Sequence, residues 1–306
     1  MTHVVFVLFP EVHLLDLAGP AQVFSAAEEL GLPYTFSYVS EHEQIVSAQG
    51  LVLTAQRHLP DLREDDLVVI PGWRAPVLRD AEVSPETLEW LRAHHASGGT
   101  VASVCVGAQV LGQAGLLDGR NCTTHHQLQD AFAARHPRAT VLRDVLFTSD
   151  DRVVTAAGIA SGIDLALHLL ATRHGPGLAA KAAREMVVYA RRNGHEPQDS
   201  AMLRHRNHLD DNVHRVQDLI DTHYVESLPL ARLAAHAGVS PRTLTRQFAE
   251  ATSGMTPLRY QQALRMERAD HLIGHGATIE SAAREVGFED ARMLRRLRTR
   301  HSTPGR

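Results

Sequence analysis

The 306-residue chain is 44% apolar and 22% charged, with a formal net charge of −4. That length suits two cores better than one, and no apolar run approaches the ~18 residues of a membrane span. With only two cysteines a disulfide framework is excluded, so a cytoplasmic protein without membrane contact is expected.

The charge is unevenly spread. From Asp210 onward 14 arginines face 12 carboxylates, whereas the residues before it carry 17 Lys and Arg against 23 Asp and Glu. Five arginines crowd into residues 292–300. A solvated helix face is the ordinary account of such a run, but on an acidic chain it also suits a polyanion partner for that end alone.

In chain order, "MTHVVFVLFP" has no basic n-region or cleavage pattern and reads as the first strand of a mature domain. Its continuous apolar run is that of a strand covered on both faces. "GPAQVFSAAEEL" predicts a helix that opens with Pro20 and ends before Gly31. "TFSYVS", "LVVIPG" and "TVASV" predict further strands. Between the last two, "SPETLEWLRAHHASGG" predicts a helix with Ser84 as N-cap and Pro85 at its first position. Strands alternating with helices specify a mainly parallel sheet between helical layers. Ligands of such sheets gather at the carboxyl ends of the strands.

"SVCVGAQVLGQAGLLDGR" passes from an apolar strand through Cys105 into a glycine-spaced helix. A thiol at a helix N-terminus meets free amides and the positive end of the dipole, which favours thiolate and offers oxyanion stabilisation. Cys122, in the apparent strand "NCTTHH", is expected to be a small buried residue. Asp164, near a predicted helix start, is expected to cap it. The pairs His94–His95 and His125–His126 have no ligand spacing with cysteines or carboxylates, so neither a metal nor another cofactor is expected.

After "GIDLALHLLATRHGPGLAAKAAREMVVYA" the strand signals cease, and "RRNGHEPQDSAMLRHRNHLDD" reads as a linker. "LARLAAHAGVSPRTLTRQFAEA" has helix-turn-helix spacing. Ala234 is small where helices cross, and Gly238 suits a positive φ in the turn. Ser240 and Pro241 start the second helix, and Val239, Leu244 and Phe248 form its apolar face. Arg242, Thr243, Thr245 and Arg246 lie on the outer face. Ala283 and Gly287 repeat Ala234 and Gly238 at a spacing of 49 residues. "LRYQQALRMERADHLI" between the copies predicts a connecting helix of ~24 Å. Two such units could offer their second helices to successive major grooves ~34 Å apart.

With these motifs in view, about residues 212–301 resemble the DNA-binding domain of the AraC/XylS regulators. The resemblance implies that Arg242, Thr245 and Arg246 face bases in the first unit, and Arg292, Arg295 and Arg296 in the second. Arginine can bind guanine bidentately, worth ~1–3 kcal/mol of discrimination; others would hold phosphates. The family usually has aromatics in the last helix where this chain has Leu294 and Arg298. Burying Arg298 would be costly, and a one-residue shift would pack Met293 and Leu297 instead. With no aromatic–glycine element after His301, the second unit is expected to be less stable or weaker on DNA.

The first half resembles the PfpI-like branch of the class I glutamine amidotransferase-like superfamily. The matching motifs are "LFP…LLDLAGPAQVF", "VVIPG", "SVCVGAQVLGQAGLLDGRNCTTHH" and "AAGIASGIDLAL". The resemblance puts Cys105 at a nucleophile elbow, His125 near the thiol, and Asp16 where isocyanide-hydrating relatives keep a carboxylate beside the cysteine. It also implies a pocket of Gly72, Trp73, Val106 and Gly107; Trp73 replaces a common second glycine and is expected to reshape it. The fused layout is similar to that of GlxA-type regulators. Cys105 is therefore open to three readings: lining an effector or redox-sensing pocket, catalysing a hydratase or hydrolase reaction, or an inherited packing role.

The expected fold is a flavodoxin-like α/β sandwich over 1–190, a linker over 191–209, and an all-α tandem helix-turn-helix domain over 210–306. The expected function is that of a transcriptional regulator, homodimeric by resemblance, with promoter DNA and an unknown small-molecule effector as partners.

Overall fold

The computed structural model describes all residues except 189–191, 195–197, 199–204, 275 and 302–306. Two compact units emerge, Met1–Gln198 and Asp199–Arg306. The expected linker falls partly outside the described residues.

In the first unit, β1 (Thr2–Val7) leads to α1 (Leu14–Glu29), β2 (Tyr34–Val39) and a hairpin of β3 (Gln44–Val46) and β4 (Val52–Thr54). There follow β5 (Leu67–Ile70), α2 (Pro85–Ala96), β6 (Thr100–Val104), a 3-10 turn at Cys105–Gly107 and α3 (Ala108–Gln113). The unit continues through β7 (Asn121–Cys122), α4 (Gln129–Arg135), β8 (Thr140–Val141), β9 (Phe147–Asp150), β10 (Val153–Ala156), α5 (Ser161–His174) and α6 (Pro176–Glu185). The main sheet has the order β2-β1-β5-β6-β10-β9, with parallel pairs throughout except β9 on β10.

The sheet is covered on both faces because its inner strands have apolar side chains on both. Val4 and Phe6 of β1 enter one core with α1, α5 and α6; Val5 and Val7 enter the other with α2 and α3. All four residues of β5 are buried, which is the pattern of a doubly covered parallel sheet.

One helix departs from expectation. α1 begins at Leu14, so Pro20 lies inside it rather than at its start. An interior proline forfeits one backbone bond and costs ~3 kcal/mol. Tight packing on α5 compensates: a Cβ on Gly19 would lie 3.0 Å from Ile163 Cγ1, and one on Gly162 would lie 3.2 Å from Pro20 Cγ. The longer helix carries Asp16 in its first turn, wholly buried.

The second unit has six described helices: α7 (Asp211–His223), α8 (Leu230–Ala237), α9 (Pro241–Ala251), α10 (Pro257–Gly274), α11 (Ile279–Glu285) and α12 (Ala291–His301). Gly238 caps α8 at φ 70°, and Ser240 Oγ accepts from Thr243 N at the start of α9. Gly287 repeats the left-handed turn at φ 84°. Val213, Val216, Ile220, Leu233, Leu244, Phe248 and Tyr260 form the first core. Ala269, Ala282, Ala283, Val286, Phe288 and Leu294 form the second. α10 spans the two cores; its 18 residues amount to about 27 Å.

The register of the last helix is now fixed. Leu294 is fully buried while Met293 and Leu297 pack beside it, half-buried. Arg298 is not in the core: at the flank its Nε pairs with Asp270 Oδ1 at 2.8 Å.

Candidate functional site

The crevice of interest lies where β5 and β6 end and α1 begins. Cys105 follows β6 directly, at φ 58° and 7% exposed, so the chain turns sharply at the thiol. Thr124 Oγ1 donates to Cys105 O at 2.7 Å and pins that turn. A Cβ on Gly107 would lie 2.2 Å from Ile70 O; only glycine lets the turn close against β5.

Gly72 is the meeting point. Its amide donates to Asp16 Oδ2 at 3.1 Å. A Cβ there would lie 2.5 Å from that oxygen and 2.7 Å from Cys105 Cβ, so an unsubstituted backbone is what brings carboxyl and thiol together. Gly158 does the same on the other side: a Cβ would meet His125 Cδ2 at 3.1 Å and Cys105 Sγ at 3.3 Å. His125 Nδ1 accepts from Gln127 N at 3.4 Å, and its ring lies 4.2 Å from that of His126. Val106 and Gly107 are buried in the turn. Trp73 bridges to Val12 through its backbone, and its indole packs on Phe9 with centroids 4.8 Å apart.

The electrostatics differ from the expected thiolate. Burial, and then the Asp16 carboxylate, push the Cys105 thiol up to about 12, with the Val106 amide acting weakly the other way. The structured turn behind the thiol is three residues of 3-10 helix and six of α3, too short for its dipole to outweigh desolvation. Burial likewise raises Asp16 to about 7, against the Gly72 and Ile159 amides. At neutral pH the crevice therefore holds a neutral thiol beside a carboxyl that shares its population between acid and base.

Two further expectations resolve here. Cys122 is fully buried, its thiol pushed up to about 12 by burial. Asp164 does not cap α5: it accepts from Arg192 N and Nε, both at 3.0 Å, and from Nη2 at 2.6 Å. The partner is 28 positions away, so no local pattern could have announced it. Among the described residues no three His, Cys, Asp or Glu side chains gather as a metal site.

On the helical unit, Arg242 and Arg246 are exposed on α9, with Thr243 and Thr245 half-buried between them. Thr243 Oγ1 lies 2.8 Å from Ser240 Oγ, and Thr245 Oγ1 donates to Pro241 O at 2.9 Å. Arg292, Arg295 and Arg296 are exposed on α12. Arg246 faces Glu250 at 3.7 Å, Arg292 faces Asp290 at 3.9 Å, and Arg295 pairs with Glu280. Exposed pairs of this kind are worth ~0–1 kcal/mol, so a phosphate or base edge can displace them. Sequence reasoning passed over Arg265 of α10, which donates to four backbone carbonyls; it reads as one more charge on a polar helix.

Comparison with known proteins agrees with both halves. The DJ-1/PfpI family profile matches residues 2–172, and that of a helix-turn-helix domain matches residues 233–303. The HTH-type transcriptional regulator CdhR of Pseudomonas aeruginosa is 29% identical over 229 residues, 75% of this chain and 67% of that one. The isonitrile hydratase of Pseudomonas putida is 33% identical over 169 residues, 54% of this chain and 68% of the enzyme. A crystal structure of an AraC family transcriptional regulator from Pseudomonas putida shares the fold, with a TM-score of 0.52 at 24% identity over 61% of this chain and 100% of that one.

Proposed function

The chain belongs to the DJ-1/PfpI family, and from that premise we propose that its cysteine-bearing crevice serves as the sensor of a DNA-binding transcriptional regulator. The output half is the tandem helix-turn-helix unit, and the observation that carries the reading is its duplication. Two recognition helices, each with exposed arginines, stand on one connecting helix.

In this reading Arg242, Thr245 and Arg246 meet one major groove and Arg292, Arg295 and Arg296 the next. Thr243 supports the first helix at the phosphates. The crevice of Cys105, Asp16, His125, Gly72, Trp73, Val106 and Gly107 takes up a small molecule or registers oxidation. Either event shifts an equilibrium between two forms of the regulator by binding them unequally. The regulator works in the cytoplasm as a homodimer, so its sites on promoter DNA are repeated. The test is titration of the intact protein with duplexes from its own upstream region. Affinity falls steeply as salt rises, and a preference no better than for random duplex would refute the reading.

A second reading is favoured by one observation, the convergence of Asp16 and Cys105 on Gly72. There Cys105 attacks a small electrophile and Asp16 moves the proton. Turnover of an isonitrile that disappears in Cys105→Ala would establish it.

A further inference from the structure

The two helix-turn-helix halves need a fixed separation to read two boxes at once, and α10 is not the only tie between them. A cleft of about 870 Å³ opens beside the contact of the halves, lined by Thr245 of α9, Met293 of α12 and, from α10, Arg265. Arg265 Nε donates to Tyr224 O at 2.6 Å; Nη2 donates to Val225 O at 3.0 Å and Glu226 O at 2.8 Å. Those three carbonyls follow the end of α7, in the first half. Nη1 donates to Gly287 O at 2.8 Å, the turn glycine of the second half. The guanidinium also lies 5.6 Å from the centre of the Phe288 ring.

The surroundings serve the same connection. One turn earlier on α10, Gln261 Nε2 donates to Tyr224 O at 2.8 Å and Glu226 O at 2.7 Å. A Cβ on Gly287 would lie 2.2 Å from Val225 O, so the two halves touch backbone to backbone where the guanidinium bonds both. A planar fork with five donors can hold four carbonyls in divergent directions, which an ammonium on a flexible stem cannot.

We propose that Arg265 is the positioning residue that fixes the distance between the two recognition helices, and with it the base-pair separation at which the protein reads its two DNA boxes. The inference rests on the DNA-binding reading and adds a determinant of spacing to it. Arg265 acts through α9 and α12 and need touch no base itself.

The test titrates full-length protein against three duplexes: the footprinted two-box operator, the same boxes moved apart by about half a helical turn, and a single box. Wild-type protein should bind the spaced duplex about 100-fold more weakly than the operator, because rigid linkage loses its advantage when geometry forbids both contacts. In Arg265→Ala that ratio should shrink below about tenfold while single-box affinity stays unchanged; Arg265→Lys should recover part of it. A wild-type ratio in Arg265→Ala overturns the proposal. If that variant fails to melt cooperatively, Arg265→Lys takes its place: a ratio below that of the wild type supports the proposal and an unchanged one overturns it. Wild-type protein that does not distinguish operator from random duplex would instead refute the DNA-binding reading.

Discussion

The Gly72 amide holds the buried carboxylate of Asp16 at 3.1 Å, and a Cβ on that glycine would also lie 2.7 Å from Cys105 Cβ. Gly72→Ala should therefore destabilise the α/β unit by about 1–3 kcal/mol through overpacking. If the crevice is the sensor proposed above, the same change should also abolish a response of DNA binding to peroxide while leaving operator affinity near wild type. Urea unfolding and DNA titration read the two effects separately.

Stability should fall with rising pH through the range where Asp16 ionises. Its folded-state value is raised from 3.8 to about 7, so between those values the native state binds more protons than the unfolded one. The favourable contribution is complete below pH 3.8 and lost as pH climbs to 7, by roughly 4 kcal/mol at most. Asp16→Asn removes this slope. Unfolding curves of the two proteins from pH 5 to 8.5 should diverge in favour of the variant, and parallel curves would contradict the assignment.

Thiol chemistry gives a third expectation. Both cysteines are buried and pushed up to about 12, so iodoacetamide should label the native protein slowly at pH 7.5. Asp16→Asn withdraws the carboxylate that raises Cys105 and should speed labelling there, with Cys122 unchanged. Peptide mapping by mass spectrometry distinguishes the sites.

Arg246→Ala should weaken operator binding by about 1–3 kcal/mol and relax the sequence preference at one position if the guanidinium reads a base. A uniform loss across sequences, with a salt slope lower by about 1, would assign it to phosphate. Anisotropy titrations at several salt concentrations separate the two.

A polar clasp closes the first helix-turn-helix core. Tyr260 Oη donates to Asp221 Oδ1 at 2.8 Å, and Arg206 pairs with Asp221 and, at 2.7 Å, with Asp218. The Tyr260 ring in turn packs edge-on to Phe248 of α9, centroids 5.8 Å apart. Tyr260→Phe should cost about 1–3 kcal/mol, since it leaves a buried carboxylate oxygen short of a donor. Thermal melting of the intact chain should show the loss.

Much of this architecture is legible in the amino-acid sequence, for local reasons. Ala234 with Gly238, and Ala283 with Gly287, mark turns whose geometry depends on neighbours in the chain. Ser84 and Ser240 cap the helices that follow them. The elbow at Cys105 was legible through the resemblance to the PfpI-like branch, whose motif a strand, a cysteine and small residues carry here. What stayed hidden depends on distance. Pro20 suits a helix start as well as a tightly packed interior, and only α5 decides between them. Arg192 reaches Asp164, and Arg265 reaches carbonyls up to 41 positions away. The thiol's protonation depends on burial, which no short motif encodes.

The ion pair of Arg298 with Asp270 adds a charged tie to the apolar packing of Leu294 that seats α12, at a place where a further oily contact would be indifferent to electrolyte. Dissolved ions screen such a half-exposed attachment. The electrolyte that strips the protein from a duplex therefore also loosens the grip of its own terminal reading head. Dissociation with rising ionic strength should then be steeper than the tally of phosphates touched, and an uncharged pair at these two positions should bring the slope back toward that tally.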